Sequence, residues 1–111
     1  MSYWVSFCLN DENETEIWSR NCTVNVAPMW SEALQDTLRN TIEDCDQNLG
    51  MLSTILGNGI SSMESTPDIY REMTPKNGWG TYESALSYLK EIKRMCDHLK
   101  GAAGVRIHVS S

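Results

Sequence analysis

Large apolar side chains alternate with smaller or polar ones at both ends of the chain. Over residues 3–9 this alternation predicts a half-buried strand, and the polar residues 10–14 predict a turn after it. Residues 17–26 predict a second extended segment that pairs with the first and is stopped by Pro28. Residues 105–109 alternate again and predict a closing strand.

Between these strands the apolar residues recur at helical spacing. The first helical region is expected to begin at Ser31, a favourable N-cap that an acidic residue follows, and to end at a polar break over residues 44–50. The last helix carries one continuous apolar stripe. Thr81 or Gly80 caps its start, and Gly101 ends it.

The middle of the chain allows two interpretations. Apolar positions over residues 51–64 keep helical period through Gly57 and Gly59. Each glycine inside a helix costs about 1 kcal/mol relative to alanine, so a helix that ends at Gly57 is the alternative. We favour one continuous helix because the period does not slip. A short turn of helix is expected between Pro67 and Pro75.

These elements predict an α+β fold. A small antiparallel sheet, made of an N-terminal hairpin plus a C-terminal strand, would be covered on one face by about three helices. The chain has 111 residues, which favours a single domain over residues 1–111.

Composition excludes several classes of protein. The net charge of −6 argues against direct binding to a nucleic-acid backbone. No apolar run approaches the roughly 18 residues of a membrane span, and the N-terminal residues lack the basic segment of a signal peptide. We therefore expect no membrane partner and a cytoplasmic location. The charge is uneven, however: residues 75–111 hold 6 basic and 3 acidic side chains, either as a site for an anion or as a solvated helix surface.

The cysteines are scattered, without a C-x-x-C pair. In a reducing cytosol this spacing favours buried structural thiols over disulfides, and no ligand spacing suggests zinc. We expect neither a metal nor a cofactor. The four positions are Cys8, Cys22, Cys45 and Cys96.

Residues 77–82, with the sequence Asn-Gly-Trp-Gly-Thr-Tyr, form the first candidate site. Gly78 and Gly80 flank Trp79, and the segment leads into a helix N-terminus. Backbone N–H donors beside an aromatic ring would suit an anionic group together with a stacked ring. The alternative is that Trp79 only anchors the loop against the core. The lysine and hydroxyl of a phosphate-binding loop are absent.

Residues 21–30 form the second candidate site. Asn25 is a polar residue between two valines, and its amide could contact a ligand or hold a neighbouring loop. Trp30 follows as a second aromatic ring. The alternative is a strand-to-helix corner that the asparagine side chain stabilises.

Signals for catalysis are weak. Neither His98 nor His108 has a neighbouring Ser or Cys in a recognisable hydrolase context. The least favoured hypothesis is a small hydrolase or nuclease, whose site would be built from Asp44, Asp46 and His98. The sequence favours a binding protein over an enzyme.

Both candidate segments support a resemblance that spans nearly the whole chain. The segments that carry it are residues 23–30 (Thr-Val-Asn-Val-Ala-Pro-Met-Trp), residues 75–83 around Asn-Gly-Trp-Gly, the helix over residues 85–96 and the closing residues 105–110. They resemble the corresponding segments of a family of small proteins of tailed bacteriophages and prophages. The resemblance implies a phage accessory protein in the host cytoplasm, and it implies no activity.

The favoured function is therefore non-enzymatic binding of a small, nucleotide-like ligand, such as a signal of host defence that the protein sequesters. This prediction assumes that residues 25–30 and 77–82 form one pocket. The alternative is a protein–protein interaction module, which inhibits a host protein or forms a homo-oligomer through exposed tryptophans. The predicted ligand-binding residues are Asn25, Trp30, Asn77, Trp79, Tyr82 and Arg94, with Lys90 and Lys93 as further charge partners.

Overall fold

The computed structural model describes residues 2–45 and 48–110. Within them, strands β1 (Ser2–Leu9), β2 (Glu16–Thr23) and β3 (Val105–Ser110) form one antiparallel sheet in the order β2-β1-β3. The predicted N-terminal hairpin plus C-terminal strand is confirmed, and so is the α+β class.

Strand register separates two faces of the sheet. Val5 and Phe7 are fully buried and lie opposite Val109 and Ile107 of β3, which are also buried. Trp4 alternates to the other face, where its side chain is 47% exposed. The helices therefore pack on the face of Val5 and Phe7, as predicted, and we call the face of Trp4 the outer face.

Helices occupy the chain between β2 and β3. Five of them lie in the described residues, against about three predicted, because the first region divides and the short turn after Pro67 is a separate helix. They are α1 (Ala27–Leu34), α2 (Leu38–Asp44), α3 (Leu49–Ser65), α4 (Pro67–Arg71) and α5 (Tyr82–Leu99).

The corner between β2 and α1 differs from the prediction. The strand ends at Thr23, and Val24–Val26 form a 3₁₀ turn instead of extended chain. The Thr23 hydroxyl accepts a hydrogen bond from the backbone N–H of Asn25 at 3.3 Å, which stabilises the turn. Pro28 does not stop a strand but lies in the first turn of α1, where its missing N–H has no helical partner to lose.

The predicted long helix from Ser31 is also wrong in two respects. It begins four residues earlier, at Ala27, and it breaks at Gln35, which adopts a left-handed conformation with φ of 58°. Thr37 then caps α2 by accepting a hydrogen bond from the N–H of Asn40. Asp44 still belongs to α2 and α3 begins at Leu49, so the predicted polar break over residues 44–50 is too long at both ends; its Asp46 lies outside the described residues.

Helix α3 runs without interruption from Leu49 to Ser65, so the continuous-helix interpretation is confirmed. Gly59 allows α1 to pack closely on α3, because a Cβ at this position would lie 2.7 Å from Cδ2 of Leu34 at the end of α1. Helix α5 begins as predicted, with Thr81 as its N-cap and Ser84 completing a capping box.

The cysteines are partly as predicted. Cys45 and Cys96 are buried, whereas Cys8 and Cys22 are only half-buried, and all of these thiols are free. Burial raises the pKa of the Cys96 thiol to about 12, which suits an inert core residue. None of the helices in the described part of the chain is long and apolar enough to cross a membrane.

Candidate functional site

The two candidate segments meet at Gly80. This residue has φ of +101°, and a Cβ on it would lie 2.6 Å from Cγ1 of Val26 and 2.7 Å from Cγ2 of Thr23. Only glycine allows the loop after Pro75 to approach the corner this closely. The structure therefore brings residues 23–26 and 77–80 together.

A groove with a volume of about 540 Å³ lies at this junction. Its walls come from the start of β1, the end of β2, the 3₁₀ turn and the loop before α5. None of the described side chains that line it carries a formal charge, and most offer a hydroxyl or an amide. We call it the Trp79 groove, and it is lined by Ser2, Asn21, Cys22, Thr23, Asn25 and Trp79.

Trp79 is the most exposed large apolar side chain of the described residues, at 69%. Its backbone N–H donates to Oδ1 of Asn77 at 2.9 Å, and Gly78 between them has φ of +79°. Asn77 thus shapes the loop and does not itself line the groove. The interpretation that Trp79 anchors the loop in the core is wrong, since its indole lies mostly in solvent.

A second exposed tryptophan borders the groove. Trp4 is the cross-strand partner of Asn21, so their side chains stand side by side on the outer face. Asn21 lines the groove, whereas Trp4 is the neighbour of Asn21 on the next strand. Two aromatic rings are therefore available at one end of the sheet.

Two residues of the predicted site lie in the core. Trp30 is fully buried and its indole N–H donates to the carbonyl oxygen of Ala85 at 3.1 Å, with the Tyr3 and Tyr88 rings 5.5 and 5.4 Å away. The Tyr82 hydroxyl donates to the carbonyl oxygen of Met63 at 2.7 Å. Both rings face inward, because each belongs to the apolar side of its helix, so neither is presented to a ligand from solvent.

Three of the backbone donors around the start of α5 already have partners within the segment. Ser84 N–H donates to Oγ1 of Thr81 at 3.0 Å, and the Thr81 N–H donates to Oγ of Ser84 at 2.9 Å. Trp79 N–H is bound to Asn77. The capping box therefore uses the Thr81 and Ser84 donors internally, and anion binding at the start of α5 stays a prediction.

The predicted cations are also elsewhere. Arg94 is exposed on α5 and does not line the groove. Lys90 pairs with Glu64 at 2.9 Å, and the ammonium of Lys93 lies 2.8 Å from Asp97. The described residues of the Trp79 groove therefore present an aromatic ring, amides and hydroxyls and no charged side chain.

The weak catalytic hypothesis finds no assembled site. Asp44 ends α2 and His98 lies in the last turn of α5, both exposed to solvent. Asp46 is outside the described residues. Among residues 2–45 and 48–110, no three His, Cys, Asp or Glu side chains are grouped as a metal site would need.

Four residues of the groove are absent from the predicted ligand-binding residues: Ser2, Asn21, Cys22 and Thr23. Asn21 and Thr23 lie two positions apart on β2, so they share the outer face, and Ser2 is the cross-strand partner of Thr23. The alternation of Asn21 and Thr23 is visible in the sequence, but only the hairpin register places Ser2 beside them.

Comparisons of this chain with protein-family models, with curated proteins and with solved structures find no match. The resemblance to a phage family accordingly stays a prediction.

Proposed function

We propose that this protein is a non-enzymatic binder of a small, nucleotide-like ligand whose planar ring stacks on Trp79. The observation that carries the proposal is the groove itself, where a 69% exposed indole stands beside the amides of Asn21 and Asn25. An exposed indole of this size is costly to leave in solvent, and a planar ligand would cover it.

The side chains that line the groove determine which part of the ligand can bind in it. Stacking on an aromatic side chain contributes about 1–3 kcal/mol per base in single-strand binders. Each asparagine amide offers two donors and one acceptor, the pattern that the edge of a nucleobase can pair with. Because none of the described lining side chains is charged, phosphates on the ligand would extend into solvent.

The setting of this activity comes from the resemblance. As a phage accessory protein in the host cytoplasm, the chain would sequester a nucleotide-like signal that the host makes in its defence. Binding without turnover is sufficient for sequestration, and the described lining of the groove consists of side chains suited to binding.

Native mass spectrometry tests the proposal. The protein would be purified from phage-challenged and from unchallenged cells, as wild type, as Trp79→Ala and as Ile69→Ala. Ile69 is a matched control, since it is 52% exposed and does not line the groove. We expect a small-molecule adduct after challenge on the wild type and on Ile69→Ala only. Bare protein throughout, or an adduct retained by Trp79→Ala, would refute the proposal.

The second candidate function is self-association through the outer face. It is favoured by Trp4, whose 47% exposed indole lies on the sheet face that the helices do not cover. Sedimentation velocity of the wild type and of Trp4→Ser distinguishes the two functions. A dimer that Trp4→Ser dissociates supports this candidate, whereas a monomer in both samples excludes it.

A further inference from the structure

The Trp79 groove continues into a cleft between β2 and α5. This cleft has a volume of about 280 Å³. Asn21 and Cys22 line both spaces, so the two are contiguous around the free edge of β2. We call the second space the β2–α5 cleft, and the polar side chains that line it from successive turns of α5 are those of Ser84, Ser87 and Glu91.

Asn21 belongs to both walls because its backbone and its side chain point in different directions. The N–H of Leu9 donates to the carbonyl oxygen of Thr15 at 2.8 Å, so the odd-numbered residues of β1 bond to β2. Asn21 lies opposite Trp4, an even-numbered residue, and its own N–H and C=O groups therefore turn away from β1, toward the free edge. Its side chain stands on the outer face. A ligand in the groove can thus extend over this edge into the cleft.

Two contacts hold the cleft in shape. The Tyr88 hydroxyl donates to the carbonyl oxygen of Arg20 at 2.9 Å, which ties α5 to β2. Arg20 Nη2 then donates to Oε1 of Glu91 across the cleft. The Glu91 side chain is 26% exposed, and its carboxylate is held in place before a ligand arrives. Because the two charges cancel, the described lining of the cleft carries no net charge.

Glu91 keeps one carboxylate oxygen for a ligand. The ion pair with Arg20 uses Oε1, and within residues 2–45 and 48–110 no hydrogen bond reaches Oε2. The Ser87 hydroxyl, one turn earlier on α5, also has no hydrogen bond among the described residues, whereas the Ser84 hydroxyl is used by the capping box. Side chains four positions apart on a helix are neighbours. The cleft therefore offers two adjacent oxygens that a pair of vicinal hydroxyls can reach.

We propose that the β2–α5 cleft binds the ribose of the ligand, with the 2′- and 3′-hydroxyls donating to Oε2 of Glu91 and to the Ser87 hydroxyl. Dinucleotide-binding folds hold a ribose hydroxyl in the same way, on an acidic side chain. This inference rests on the proposed function, because a base stacked on Trp79 brings its sugar to the cleft. It narrows the ligand to the ribose series, since a 2′-deoxy sugar lacks one of the two donors.

Titrations followed by the Trp79 indole NMR signal test this inference. The probes are adenosine, guanosine, cytidine and uridine, each with its 2′-deoxy form. We expect each ribonucleoside that binds to do so about 10-fold or more tightly than its 2′-deoxy form, which is the effect of one hydrogen bond to a charged group. Equal affinities of the two forms would overturn the inference and leave the proposed function standing. A Trp79 signal that moves with no probe would refute both.

Matched variants of α5 make the test specific. Glu91→Gln keeps the size of the side chain and an acceptor for Arg20, and it should reduce the preference for ribose to about threefold or less. Ser87→Ala removes the second oxygen and should weaken ribonucleoside binding about threefold or more. Glu83→Gln is the control, because Glu83 is a 69% exposed acid of the same helix that lines neither space. A preference that survives in Glu91→Gln, or that Glu83→Gln reduces equally, would overturn the inference.

Discussion

Gly80 and Val26 lie so close that a Cβ on Gly80 would sit 2.6 Å from Cγ1 of the valine. This contact joins the loop before α5 to the corner after β2, and it places Trp79 at the mouth of a groove whose other walls belong to the hairpin. Glycine is required at position 80 for two reasons: its φ is positive, and a side chain there would clash with the corner. The groove therefore depends on one backbone position as much as on the side chains that line it.

Gly80→Ala is expected to displace the loop. The new methyl group would clash with Val26 and Thr23 and would also strain the backbone, a combined cost of about 2–4 kcal/mol. Gly78→Ala is the matched control, because its φ is +79° but a Cβ there meets nothing within 4 Å, so only the backbone cost of about 1 kcal/mol remains. Urea denaturation measures both. Equal losses in the two variants would contradict the contact.

The two tryptophans predicted to bind a ligand should differ in their effect on stability. Trp30→Phe removes the indole donor to Ala85 and leaves a void in the core, which should lower the free energy of unfolding by about 2 kcal/mol. Trp79→Ala should change it by less than about 0.5 kcal/mol, because the side chain is mostly in solvent. Urea denaturation checks both variants, and a large loss in Trp79→Ala would mean that its ring packs in the protein.

Asp97 should make stability depend on acid pH. Hydrogen bonds from Lys93 and then from Ser53 hold the pKa of the Asp97 carboxyl below its usual range. A depressed pKa stabilises the fold above the unfolded pKa of about 3.9, and this contribution is lost as the pH falls through the folded pKa. We expect the wild type to exceed Asp97→Asn in stability at pH 7 and the difference to shrink below about pH 4. A difference that stays constant with pH would refute this role.

The paired glycines of α3 should respond differently to alanine. At Gly57 a Cβ would lie 3.0 Å from Cε of Lys93, a flexible side chain that can move aside, so the helix propensity of alanine should stabilise the protein by up to about 1 kcal/mol. At Gly59 the Cβ would lie 2.7 Å from Cδ2 of Leu34, and repacking should cancel or reverse that gain. Thermal denaturation of both variants is the measurement. A more stable Gly59→Ala than Gly57→Ala would contradict the packing of α1 on α3.

Much of the fold was predictable because its signals are local. The alternation in residues 3–9 and the apolar stripe of α5 each determine their own element, and the uninterrupted period in α3 outweighed two glycines. The prediction failed where a hydrogen bond between residues close in sequence overrides the alternating pattern of a strand. Val24 and Val26 suit a strand, but the Thr23 hydroxyl bonds the N–H of Asn25 and turns the chain into α1.

The site was predictable only in part. The Asn-Gly-Trp-Gly segment left two roles open for Trp79, ligand stacking or anchoring in the core, and the exposure of its ring excludes the second. Trp30 was misplaced because α1 begins at Ala27, which turns the indole into the core. The contribution of Ser2 depends on its pairing with Thr23 across the hairpin, a contact between residues 21 positions apart that no local pattern reports.

The central claim is that a planar ring binds on Trp79 with no charge contacting it. The most direct measurement follows the tryptophan indole NMR signals while a panel of ribonucleosides and their monophosphates is added. We expect the Trp79 signal to move and the Trp30 signal to stay in place, and we expect Trp79→Ala to abolish binding. A nucleoside and its monophosphate should bind within about threefold of each other, because none of the described lining side chains is charged. A Trp79 signal that moves with no member of the panel, or an affinity that requires the phosphate, would contradict it.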